Sequence, residues 1–89
     1  MKFEFDAAKS ASNKEKHGID FVEAQALWLD DVIEVVLSKA QITTEARFLA
    51  IGLIGGKHWT AICTFRGETV WIISVRRARK EEVGHYEGK

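Results

Sequence analysis

The stretch RFLAIGLIGGKHWTAICTFRGETVWIISVR, Arg47–Arg76, decides the fold. Arg47–Ile54 is apolar and rich in β-formers, Gly55-Gly56 is a two-residue hairpin turn, and Lys57–Phe65 is the returning strand. Arg66-Gly67-Glu68 turns the chain again into Thr69–Arg76. Each connection is too short to hold a crossover helix, so the three strands form an antiparallel meander.

Towards the N-terminus, Lys2-Phe3-Glu4-Phe5 alternates polar and apolar side chains, as a short strand with one buried face does. Asp6 is an N-cap for a helix over Ala7–His17, with lysines near its C-terminal end and Gly18 as its left-handed stop. Asp20 looks like a second N-cap. Phe21, Ala24, Leu27 and Trp28 then predict an amphipathic second α-helix that ends at Asp30-Asp31. Val32–Leu37 is β-branched and reads as a strand. The polar Ser38–Glu45 segment reads as a loop and as the most mobile part of the chain. Beyond the meander, Ala78–Glu87 reads as a helix weakened by Gly84. The expected order is β-α-α-β-β-β-β-α, an α+β fold with an antiparallel sheet packed against helices, and residues 1–89 form a single domain.

Of the 89 residues 46% are hydrophobic, with three tryptophans and five phenylalanines, which supplies a packed core and argues against disorder. Cys63 is the only cysteine, so there is no disulfide framework or cysteine-rich metal site, and it reads as a buried thiol. No run approaches a bilayer span and the start carries no apolar signal core, so the expected location is the cytoplasm, with no membrane partner. The formal net charge is zero, but Met1–Glu45 carries −4 and Ala46–Lys89 carries +4. Such asymmetry fits a local positive field for an anionic ligand, and it equally fits two halves that neutralise one another.

Three clusters can carry chemistry. Lys14, Lys16 and His17 close the first helix; His17 can act as an acid or base near neutral pH, or simply cap the helix end. Arg66 and Glu68 flank Gly67 in a turn that a ligand can reach, or form an ordinary solvated pair. Arg76, Arg77, Arg79 and Lys80 mark the passage from strand to helix, where positive charge opposes the helix dipole. Alternation along a strand sends Arg76 and Arg77 to opposite faces, one for the fold and one for the ligand. An arginine fork suits a phosphate through paired, charge-assisted hydrogen bonds. Glu82 and Tyr86 lie one helical turn apart with His85 beside them, and Tyr86 can donate a proton, hold a phosphate or close the core. Trp59 and Trp71, on neighbouring strands, are expected to pack together as core. His17, His58 and His85 are scattered and no carboxylate pair has ligand spacing, so no metal site or cofactor is expected. No glycine-rich phosphate loop is present. Any hydrolysis here is expected to be metal-free acid–base chemistry.

Several separate blocks resemble one family. Phe3–Lys9, Asn13, Lys16-His17-Gly18, Phe21 and Glu23-Ala24 are similar to the N-terminal signature of the BrnT toxins. Arg47–Gly52, Thr64–Gly67 and Ile73–Ala78 look like that family's later blocks, with Glu82 and Tyr86 where its last helix carries Glu and Tyr. The chain departs from the pattern at Phe5 (tryptophan), Ala7 (proline) and Val75 (alanine), none of them a charged candidate. The resemblance implies a RelE-like fold and ribonuclease activity that blocks translation. It also implies a BrnA-like ribbon-helix-helix antitoxin, through whose complex alone operator DNA is bound. It groups His17, Arg66, Arg76, Arg77 and Tyr86 as a shared site. Glu68 is a further base candidate, and Lys14, Lys16, Arg79 and Lys80 are candidate RNA contacts. The rival reading is a binding module that holds an antitoxin or RNA without cutting.

Overall fold

Gly55 and Gly56 adopt φ of 59° and 78°, a pair of left-handed residues that glycine accepts without steric cost, and they turn one strand back on the next. In the computed structural model, which describes residues 1–41 and 44–88, these strands are the centre of a five-stranded sheet. The elements are β1 (Lys2–Phe5), α1 (Ala7–His17), a 3-10 helix (Glu23–Leu29), β2 (Glu34–Leu37), β3 (Phe48–Ile54), β4 (Lys57–Arg66), β5 (Thr69–Arg77) and α2 (Lys80–Glu87). The sheet order is β1-β5-β4-β3-β2. The fold class is α+β. Of the loop expected over Ser38–Glu45, Ile42 and Thr43 lie outside the described residues.

Two expectations about the elements are corrected. The sheet is mixed rather than antiparallel: β1 runs parallel to β5, with Lys2 opposite Thr69 and Phe5 opposite Ile72. The α1 crossover and the long return through the sheet bring β1 to the far edge of β5. Alternation at Lys2–Phe5 predicts a strand but carries no information on its direction. The second helix is a 3-10 helix rather than an α-helix. Its buried residues, Ala24 and Leu27, stand three apart, the 3-10 repeat of three per turn, and buried Phe21 in the preceding turn continues the interval. Its N-cap is Val22 rather than the expected Asp20, which braces the turn leading into it. The Asp20 carboxylate accepts from the Glu23 N–H at 2.7 Å, and Glu23 accepts from the Asp20 N–H at 2.9 Å.

One face of the sheet, formed by Ala50, Ala61, Cys63, Val70, Ile72 and Val75, packs against Ile19, Phe21, Ala24 and Leu27. Leu27 approaches so closely that a Cβ on Gly52 would stand 3.1 Å from its Cδ2 and 3.2 Å from Asp30 Oδ2, so a side chain there would push both neighbours aside. α1 is fixed to β5 by the buried Asn13. Its amide donates to the Ile19 and Val75 carbonyls at 2.8 and 2.9 Å, and its oxygen accepts from the Val75 N–H. Asn13 thereby satisfies β5 backbone groups beyond the end of β1, which stops at Ile72. The opposite face is covered by α2 at one end only. Trp59 and Trp71 do not pack together: Trp59 pairs with Arg77 and Trp71 with Thr64, about 20 Å apart along the ladder. Among the described residues no helix is long and apolar enough to cross a membrane.

Candidate nucleic-acid interface

Strand alternation separates Arg76 from Arg77. Arg76 turns to the face that α2 covers and makes a two-pronged pair with Glu82, at 2.7 and 2.8 Å. Glu82 is buried, and its carboxylate also accepts from the Thr60 hydroxyl and the Arg79 backbone N–H, both at 2.9 Å. Burial pushes the Glu82 carboxyl up, but hydrogen bonds from Arg76, Arg79 and Thr60 outweigh it and bring its pKa to about 2. Arg77 lies on the other face with its guanidinium 5.5 Å over Trp59, and it donates to the His58 carbonyl.

Beside Arg76 the sheet face opens into a groove of about 390 Å³ between β2, β3 and α2. Its floor includes Val36, Leu49 and Ile62, and its rim carries Lys39, Arg47, Arg76, Arg79 and His85. Glu81 and Glu82 are its acidic members; Lys39 pairs with Glu81 in a highly exposed contact of little energetic weight. A smaller cavity of about 170 Å³ lies further along the same sheet. There Arg66 donates Nε and Nη2 to the Glu45 carboxylate, each at 2.8 Å, and rests 4.7 Å over the Trp71 ring. The pair raises the Arg66 pKa and lowers that of Glu45. Arg47 lines both cavities.

The structure does not gather the candidate residues into one constellation. His17, Lys14 and Lys16 are exposed at the end of α1, which Asn13 fixes to Val75 on the same face as Arg77. Lys14 is engaged by Glu23. Arg66 and Glu68 sit at the β4–β5 turn, about 20 Å along the strands from Arg76. Arg76, Arg79 and Tyr86 belong to the α2 end, and Lys80 is the exposed first residue of that helix. Tyr86 is buried and its hydroxyl donates to Asp30 at 2.6 Å; this bond, with burial adding to it, raises its pKa to about 12. Its ring meets His58 edge-on at 5.4 Å, and His58 contacts Glu87 at 2.7 Å. Tyr86 thus anchors α2 to the sheet and to the turn after the 3-10 helix.

Arg47, Glu45, Asp30 and His85 carry parts of these sites that the sequence reading leaves unassigned. Arg47 and Glu45 had one usable signal, a charged pair abutting an apolar strand, where side chains at the strand end face the groove. Asp30 had none for this role, because Tyr86 and the Leu53 N–H, unlike its near partner the Val32 N–H, lie far away in sequence. Among the described residues no three His, Cys, Asp or Glu side chains stand together as a metal site.

No curated protein matches the chain. The model of one family, described as "Ribonuclease toxin, BrnT, of type II toxin-antitoxin system", matches residues 5–82.

Proposed function

The chain belongs to the BrnT family of ribonuclease toxins of type II toxin–antitoxin systems, and on that premise we propose that it cuts RNA in the groove beside α2. The observation that carries the reading is the ring of Arg47, Arg76, Arg79 and His85 above an apolar floor on an otherwise open sheet face. Guanidinium groups suit a phosphodiester, and the apolar floor suits a base. The proposed reaction needs no metal. The RNA 2′-oxygen attacks the adjacent phosphorus, the bond to the next 5′-oxygen breaks, and a 2′,3′-cyclic phosphate and a 5′-hydroxyl result. A base takes the 2′-hydroxyl proton, an acid supplies one to the leaving oxygen, and fixed positive charge stabilises the crowded phosphorane.

Arg47 and Arg79 supply that charge in this reading. Arg76, already tied to Glu82, holds the groove wall and adds its field. His85, exposed at the rim, is the proton-transfer group best placed for a strand lying in the groove. His17 and Arg77 stand on the other face and make no contact with that strand, and Tyr86 acts by holding α2. Cleavage of RNA inhibits translation, and a BrnA-like ribbon-helix-helix antitoxin neutralises the chain and carries the complex to operator DNA. The RelE-like assignment belongs to the same proposal and is supported by the helices preceding a strand meander. A cytoplasmic location follows from this role.

The alternative is a binder that holds RNA or antitoxin without cutting. It is favoured by one observation: Arg76 and Lys39 already have carboxylate partners. Incubation of labelled RNA with the purified chain in EDTA separates the readings. The expected result is cleavage leaving a cyclic phosphate, slowed about 100-fold or more in His85→Ala. Intact RNA from folded protein favours the binder. A comparable loss in His17→Ala instead of His85→Ala places the chemistry at the end of α1.

A further inference from the structure

We infer that the smaller cavity around Arg66 is a second nucleotide subsite, taking a phosphate and base of single-stranded RNA beside the nucleotide that is cut. This rests on the reading of the larger groove as the RNA site. The cavity draws Lys9 from α1, Arg47 from just before β3, Arg66 from β4 and Trp71 from β5. Three cations therefore surround one carboxylate, Glu45.

The Arg66–Glu45 pair shows the geometry in which this fork would hold a phosphate. A carboxylate presents two oxygens to the guanidinium fork as a phosphate does, and here both contacts are 2.8 Å. The two side chains are 47% and 46% exposed, so water reaches the pair and an RNA phosphate can displace Glu45 at little cost. Trp71 beneath the guanidinium keeps it extended towards the phosphate, and the stacked pair offers a flat surface for a base to lie against.

Continuity with the larger groove sets the path. Arg47 lines both cavities. Ile62 lines the first and Thr64 the second, two residues apart on β4, or about 7 Å, a step that one extended nucleotide spans. The irregular register between Ile62 and Cys63, where Ser74 and Ile72 are their partners, falls at the boundary between the two. A strand that runs from His85 past Arg47 to Trp71 follows the exposed sheet face throughout.

The test measures binding of a fluorescein-labelled 2′-O-methyl RNA tetranucleotide, which cannot be cleaved, to the full chain and its variants by anisotropy. Arg66→Ala should weaken binding about tenfold and lower the slope of log K against log salt by about 0.7, the share of one phosphate on a single strand. Lys9→Ala, on an exposed helical turn, should weaken it in the same sense. Glu45→Gln should tighten binding, because it releases the Arg66 fork without a competing charge. Opposite signs for Arg66→Ala and Glu45→Gln are the expected signature. If both variants weaken binding equally, the pair merely holds the segment before β3 and the inference fails. It also fails if neither variant changes affinity, or if the chain does not bind the oligonucleotide. Cleavage is not needed for this readout. A chain that binds with the expected signature but cuts nothing refutes the nuclease reading alone.

Discussion

Replacing Glu82 by glutamine removes the charge on which four hydrogen bonds converge: two from Arg76, one from Thr60 and one from the Arg79 backbone. The side chain is 9% exposed, so solvent screens the loss only weakly. Its carboxyl lies at about 2 rather than 4.5, a difference worth roughly 3 kcal/mol at about 1.4 kcal/mol per unit. Because the folded-state value is depressed, that stability is fully present above about pH 4.5 and is lost as pH falls towards 2. Glu82→Gln should therefore cost about 3 kcal/mol at neutral pH, which lowers Tm by roughly 12–24 °C in a domain of this size. Urea unfolding followed by tryptophan fluorescence measures the gap between the wild type and the variant across pH. The gap should shrink by more than half by about pH 3, since the wild-type carboxylate is then losing its advantage. A neutral-pH gap below about 1 kcal/mol, or one that stays constant into acid, refutes the claim that this carboxylate holds α2 to the sheet.

Asn13→Ala should destabilise the chain by about 2–3 kcal/mol, because it leaves the buried Val75 N–H and carbonyl and the Ile19 carbonyl without their partner; equilibrium unfolding checks this. Tyr86 is the only tyrosine, so tyrosinate absorbance during a pH titration should appear near 12 rather than 10. Its raised folded value means that this contribution to stability is intact below pH 10 and fades as pH rises through 12. Ionisation near the ordinary value would break the proposed anchor to Asp30. Cys63 is fully buried and burial pushes its thiol up to about 12, so a disulfide reagent should leave native protein untouched and titrate one thiol in urea. Rapid labelling of the native chain would contradict that packing.

The meander was legible because its information is local. Gly55-Gly56 and Arg66-Gly67-Glu68 fix two turns, and alternation then fixes which side chains share a face, including the division of Arg76 from Arg77. The place of β1 was not legible, since four alternating residues cannot name a partner strand 67 positions away. The 3-10 helix was half legible. The three-residue interval of Phe21, Ala24 and Leu27 was present, but a helical hydrophobic pattern is ordinarily referred to the α period. In the site, the residue types were visible and their ownership was not. Arg76 reads as free cationic charge until the start of α2 brings Glu82 onto it. Arg66 likewise reads as a turn residue until Glu45 arrives from the preceding connection.

The edge pairing of β1 with β5 also fixes an order of events during synthesis. β1 has early side-chain neighbours, Trp28 for Phe3 and Phe21 for Phe5, but its strand partner arrives only when Thr69–Ile72 have been made. Until then the core lacks Val70, Ile72 and Val75, and closing so long a loop is slow. A chain halted before β5 therefore lacks the edge on which β1 docks and the strand that bears Arg76. The proposed RNA groove is therefore assembled only after both β5 and α2 have been made.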